Sequence, residues 1–160
     1  MENSLRRVAI VGGARIPFAR SNTAYLRASN LQMLTAAFTA LVDRFHLKGT
    51  TLGEVAAGAV IKHSRDWNLT REAALGCGLD PHTPAYDVQR ACGTSLTTTV
   101  QLAHRIALGE IDSAMAGGVD TASDVPVVYS QALQQSSSTA RVAGRWASAC
   151  GPGCACGPRR

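Results

Sequence analysis

Aromatic side chains make up only 5% of the 160 residues, so any core must be packed mainly from aliphatic and alanine side chains. No apolar run approaches the ~20 residues that a membrane-crossing helix requires, and a helical span is excluded on that ground. Near the start, Val8 to Val11 is the one short apolar run. It lacks the length of a secretory core and has no small-residue cleavage site after it, so export is not expected and a cytoplasmic location is.

Acidic residues are missing from the last part of the chain. Residues 1–130 hold twelve Lys or Arg against eleven Asp or Glu, a balance of +1. The remaining +4 of the net +5 comes from Arg141, Arg145, Arg159 and Arg160. A nucleic-acid surface needs cations gathered on one folded face, and the body scatters them among acids, which argues against a nucleic-acid partner. Cysteine is also sparse in the body, with Cys77 and Cys92 standing alone while Cys150, Cys154 and Cys156 crowd the end. An odd total of five indicates no disulfide framework, and three terminal thiols fall short of the four ligands of a closed zinc site. No metal or cofactor is expected.

What is present suits one globular α/β domain: 46% hydrophobic and 17% charged residues. Arg7 to Gly13 is an apolar run stopped by two glycines, which predicts a first strand buried on both faces. Asn30 is the expected N-cap of a helix whose apolar positions, Leu31, Leu34, Ala37, Phe38, Leu41, Val42 and Phe45, recur every three or four residues. Further strands are expected over 54–61, 84–89 and 111–116. Helices are expected over 68–75, with Gly78 at the C-terminal turn, and over 93–108, closed by Gly109. The order β-α-β-α-β-α-β predicts parallel strands joined by crossover helices. From Gln131 to Arg160 the periodicity ends, and the composition predicts a disordered, coil-like tail outside the fold.

Cys92 falls where the third expected strand turns into a helix, the position at which parallel sheets place ligands. A helix beginning at Gly93 or Thr94 aims its first amides and positive dipole end at the sulfur, an arrangement that favours a thiolate nucleophile. Gly93 leaves room beside the sulfur. The helix itself carries no charge from Gly93 through Ala103, so it is expected to be buried on most sides, partly by a layer that 130 residues cannot supply. The local pattern leaves two readings of Cys92 open, a reactive thiol or a small buried hydrophobe. Cys77, inside the pattern Gly76-Cys77-Gly78, reads as an inert structural thiol. His46, His63, His82 and His104 show no pairing motif. His104 lies ~18 Å down the helix from Cys92, at 1.5 Å per residue, and cannot serve as its base.

Four stretches, in order and suitably spaced, resemble the N-terminal part of the thiolases: "VAIVGGARIPFAR" (8–20), "NLTREAALGCGL" (68–79), "VQRACGTSL" (88–96) and "AGGVDTASDVP" (116–126). The stretch "AGAVIKHSRDWNLTRE" is similar to the long-chain fatty-acid oxidation branch, including the β subunit of the trifunctional complex. The resemblance covers about residues 5–130. It implies the N-terminal half of a five-layer α-β-α-β-α fold, with the 93–108 helix in the middle layer. It implies Cys92 as the nucleophile that takes an acyl group from acyl-CoA, its own backbone amide helping to hold the oxyanion. Acyl-CoA and CoA are then substrates rather than cofactors, in 3-ketoacyl-CoA thiolysis or its reverse. The implied partners are further subunits, as a dimer or tetramer, with a hydratase/dehydrogenase subunit among them.

This sequence also departs from the family pattern. No Gly-His-Pro segment, whose histidine activates the nucleophile, occurs in the 160 residues. The later cysteine-x-glycine that serves as acid/base is absent too, and Cys154-Ala155-Cys156-Gly157, in the coil-like stretch, is no substitute for it. The helical, Arg/Lys-bearing loop domain expected from about residue 120 does not follow either. The chain is therefore read as an inactive N-terminal fragment with a foreign stretch at 131–160. Two rival readings stay open: a non-catalytic interaction module, and a ketoacyl-synthase-like condensing enzyme.

Overall fold

A computed structural model describes residues 5–131 and 133–135. They divide at Pro126 into a body and a short following segment. In the body, helix α1 (Asn30–Arg44), strand β1 (Glu54–Ala57), a 3-10 turn (Ser64–Asp66), helix α2 (Leu69–Gly76), strand β2 (Ala85–Asp87), helix α3 (Thr94–Leu108) and strand β3 (Ala114–Ala116) follow in order. Among the described residues the sheet has three strands in the order β2-β1-β3, all parallel, with Val55 opposite both Ala85 and Met115. The α/β prediction and the parallel strands are confirmed.

β1 lies between its two neighbours, and Val55, Ala56 and Ala57 are 0% exposed. Alternate residues of a strand face opposite sides. Val55, Ala57 and Ala59 join one apolar cluster with Leu34, Phe38 and Val42 of α1 and Leu69, Ala73 and Ala74 of α2. Ala56 faces the other side, where α3 packs on β1 and β3. These layers are helix pair, sheet and helix, three of the five that the family resemblance implies.

Helix α1 begins one residue earlier than Asn30 suggested. Ser29 is the N-cap: its Oγ accepts from the Gln32 amide at 3.2 Å, and the Gln32 Oε1 accepts from the Ser29 amide at 3.0 Å, a capping box. Asn30 is instead 1% exposed and its Nδ2 donates to the Ile61 carbonyl at 2.6 Å, joining α1 to the segment after β1. The start of α2 receives no cap from Asn68. Asp87, at the end of β2, takes that place, accepting from the Thr70 amide at 2.7 Å and pairing with Lys62 at 2.6 Å.

The first strand expected over 7–13 does not form. Ile10 is 83% and Val11 80% exposed, and the segment is joined to the body mainly through Arg6, whose amide donates to the Ala107 carbonyl at 2.9 Å and whose guanidinium pairs with Asp112 at 2.6 Å. A strand exists through its ladder, and this run meets no strand edge among the described residues. Helix α3 likewise buries only one side, at Thr94, Thr98 and Leu102, while Leu96 and Leu108 remain 69% and 60% exposed. The described sheet covers one face of it, so the expected burial on most sides is not met.

Beyond Pro126, Gln131 and Leu133–Gln135 are helical, with the Gln134 amide donating to the Ser130 carbonyl at 3.0 Å. The rest of the expected tail, 136–160, lies outside the described residues.

Two glycines are required by the geometry of the body. Gly109 closes α3 at φ 78°, in the left-handed region. Gly58 follows β1 so closely that a Cβ there would lie 1.9 Å from the Val88 carbonyl oxygen. Gly58→Ala must therefore push the 88–92 loop away from the sheet. We expect a loss of about 1–3 kcal/mol or more, read as a lower urea midpoint; an unchanged midpoint would show that the loop is not seated against β1.

Candidate active site

The backbone that carries Cys92 is positioned by the end of β2. The Val88 amide donates to the Ala57 carbonyl at 2.8 Å, extending the β1 pairing one residue past Asp87. The chain then turns sharply, with Ala91 at φ 42°. Left-handed backbone costs an L-residue about 1–2 kcal/mol, so something must hold it. Three bonds do. The Gly93 amide donates to the Arg90 carbonyl at 2.9 Å, the Thr94 Oγ1 accepts from the Arg90 amide at 2.9 Å, and the same hydroxyl donates to the Ala91 carbonyl at 2.9 Å. Thr94 is 5% exposed, and none of the described histidines takes part.

This turn presents Cys92 as an exposed free thiol, immediately before Gly93 and the first residue of α3. Of the two readings left open by local sequence, a buried small hydrophobe does not fit. Among the described residues the Cys92 amide donates to no carbonyl, and the amides of Ser95 and Leu96 are likewise unclaimed. Unclaimed amides at a helix start are ready donors to an anionic oxygen. Cys77 is the contrast: it is 4% exposed, its Sγ donates to the Ala74 carbonyl at 3.2 Å, and burial pushes its thiol up.

The loop after β3 closes onto the same end of the sheet. Thr98, 0% exposed, donates its hydroxyl to the Gly117 carbonyl at 3.1 Å, and the added Cβ of a residue at Gly118 would lie 3.0 Å from the Ser95 Cβ. Asp120 accepts from the Val60 and Ile61 amides at 3.0 and 2.8 Å. Asp124 pairs with His63 at 3.0 Å and with Arg65. Burial raises the Asp124 carboxyl, but the Arg65 hydrogen bond and the charges of Arg65 and His63 outweigh it and hold the group below the usual carboxylate range. The acidic residues of the 116–126 stretch thus fasten this loop to the segment that follows β1. Sequence reading assigned them only to a motif; a carboxylate following a Gly-Gly stop at a strand end was the available signal.

A cleft of about 870 Å³ opens beside this region, with Arg15, Arg20, Tyr25, Ser95, Asp120 and Ser123 among its walls. Cys92 is not one of its lining residues; Ser95, one turn further along, is. His82 pairs with Asp80 at 2.9 Å, and the structure gives neither His63 nor His82 a hydrogen bond to the thiol. No group of three His, Cys, Asp or Glu side chains among the described residues is arranged to hold a metal ion, and Cys150, Cys154 and Cys156 lie outside them. No helix among the described residues is long and apolar enough to cross a membrane.

These features define a parallel α/β domain that presents a thiol where a strand passes into a helix. The family model for the thiolase N-terminal domain matches residues 8–145, so the chain belongs to the thiolase family. The match continues past residue 130, into the stretch set apart by composition. The 3-ketoacyl-CoA thiolase of Shewanella halifaxensis is 39% identical over 127 residues, which are 79% of this chain and 29% of the relative. Those of Aliivibrio fischeri and Yersinia pestis are 36% and 35% identical over the same shares. The chain therefore spans less than a third of the length of these relatives. A crystal structure of the Bacillus anthracis acetyl-CoA acetyltransferase superposes with a TM-score of 0.76 at 25% identity, over 82% of this chain and 33% of that one.

Two measurements follow from this geometry. Iodoacetamide added to the native chain, with sites resolved by peptide mass mapping, is expected to modify Cys92 at least about tenfold faster than Cys77, as exposure dictates. Equal rates would mean that the turn does not present the thiol. For Asp124, whose carboxyl is depressed in the fold, the stabilisation is present above the ordinary carboxylate range and is lost as pH falls through the lower folded value. Its partners are partly exposed, so the contribution is under about 1 kcal/mol. Asp124→Asn should lower the neutral-pH melting temperature slightly and flatten its acid decline; an acid limb identical to the parent's would remove Asp124 from the account.

Proposed function

We propose that this chain carries the nucleophile of a thiolase-type acyl transfer, with Cys92 as the acyl acceptor. The thiol sulfur attacks the thioester carbonyl of an acyl-CoA, the C–S bond to CoA breaks, and the thiol proton leaves on CoA. Acyl transfer from sulfur to sulfur is nearly isoenergetic, so the step runs both ways. The unclaimed amides around the start of α3 suit the oxyanion of the tetrahedral intermediate. The observation that carries this reading is the exposed Cys92 held by a strained turn at a helix start, in a chain of the thiolase family.

The relatives' names support 3-ketoacyl-CoA and CoA as the substrate pair. On the same reading the chain works in the cytoplasm within a dimer or tetramer, beside a hydratase/dehydrogenase subunit. The 160 residues contain no Gly-His-Pro segment, so the histidine base expected of the family is not supplied by them. A general base contributes about 10²–10⁴-fold, which separates a single slow acylation from turnover.

The chain incubated with acetyl-CoA is expected to gain one acetyl group, mapped to Cys92 and lost in Cys92→Ala, without sustained cleavage of acetoacetyl-CoA. Acetylation that persists in Cys92→Ala, or turnover at the rate of a full-length relative, would refute the assignment.

A further inference from the structure

Between Arg90 and Thr94 the backbone makes a turn whose shape is not that of a relaxed helix entry. Ala91 sits at φ 42° although it has a Cβ, and Gly93, the N-cap, contributes no side chain to cap α3. A helix start is ordinarily held by a hydroxyl or carboxylate at the N-cap itself. Here the hydroxyl comes from the first helical residue and points backward. Thr94 Oγ1 accepts from the Arg90 amide and donates to the Ala91 carbonyl, both at 2.9 Å, so one atom ties the two residues that precede Cys92. The residue is 5% exposed, whereas Cys92 is exposed.

We infer that Thr94 is the positioning residue of the thiol: its hydroxyl locks Ala91 in the left-handed conformation and so sets Cys92 against the start of α3. This rests on Cys92 being the acyl acceptor, and it adds the group that maintains the acceptor's geometry. Without the hydroxyl, the Arg90 amide has no acceptor and nothing on the Ala91 carbonyl offsets the strain beyond the Thr94 amide at 3.3 Å. Ala91 then relaxes to negative φ, and the peptide bearing Cys92 turns away from the helix. The methyl of Thr94 is not required, so serine should substitute for it and the isosteric valine should not.

The test uses the 160-residue chain with Thr94→Ser, Thr94→Val, Ala91→Gly and the Ala91→Gly/Thr94→Val double variant. Two quantities are read: the rate of Cys92 alkylation by iodoacetamide, and hydrogen exchange of the Arg90 amide. Thr94→Val is expected to slow alkylation at least about fivefold and to speed Arg90 exchange about tenfold or more, while Thr94→Ser stays within about twofold of the parent. In the Ala91→Gly background, where left-handed φ carries no steric penalty, the valine effect should shrink to less than half. Unchanged rates in Thr94→Val, equal losses in valine and serine, or simple additivity in the double variant would each overturn the inference. If Thr94→Val does not fold by circular dichroism, the parent chain decides, because an unprotected Arg90 amide is incompatible with the bond. Acetylation by acetyl-CoA is scored separately: its failure with these results intact would sink the acyl-acceptor reading and leave the turn as described.

Discussion

The whole arrangement depends on β1 having no free surface. Strands on either side claim its amides and carbonyls, α1 and α2 cover one face, and α3 covers the other. A backbone so enclosed leaves no alternative for its neighbours. The Ala57 carbonyl takes the Val88 amide, and Gly58 permits the Val88 carbonyl to approach where any side chain would collide. The place where β2 ends, and hence where the chain must turn toward α3, follows from that contact.

At that turn the fold stores strain and spreads its support over neighbouring groups. Ala91 is held left-handed by the Thr94 hydroxyl and the Arg90–Gly93 bond, while Thr98 ties the next turn of α3 to Gly117 after β3. Four threonines on one helix are poor choices for intrinsic helicity. The two buried ones, Thr94 and Thr98, are explained by hydroxyls that bond backbone outside the helix. Low propensity in α3 is thus the cost of fastening it to a turn and a loop.

Much of this was legible in order and in type. The apolar run ended by glycine marked β3, the strand expected over 54–61 forms only as Glu54–Ala57, and Gly78 and Gly109, at φ 90° and 78°, end α2 and α3 as their positions suggested. Where the reading failed, the missing information was non-local. Val8 to Val11 has the composition of a buried strand, but a strand is made by its neighbours, and none lies alongside it among the described residues. The charge-free stretch of α3 implied covering on most sides, yet Leu96, Val100 and Leu108 face outward because one sheet covers one face. Ser29 displaced Asn30 as the cap because Gln32 completes a reciprocal pair with it, and Asn30 was drawn inward by the Ile61 carbonyl.

By itself the sequence determined the class of fold, the glycine-closed ends of α2 and α3, the family and the candidate nucleophile, because these are written in periodicity, in residues that tolerate positive φ and in short ordered motifs. Only the tertiary structure decided that Cys92 is exposed while Cys77 is buried, that Asp87 caps α2 from another strand, and that Thr94 reaches back to hold the turn. Each of those outcomes depends on which distant backbone groups are brought within hydrogen-bonding distance, and a linear pattern carries no record of such distances.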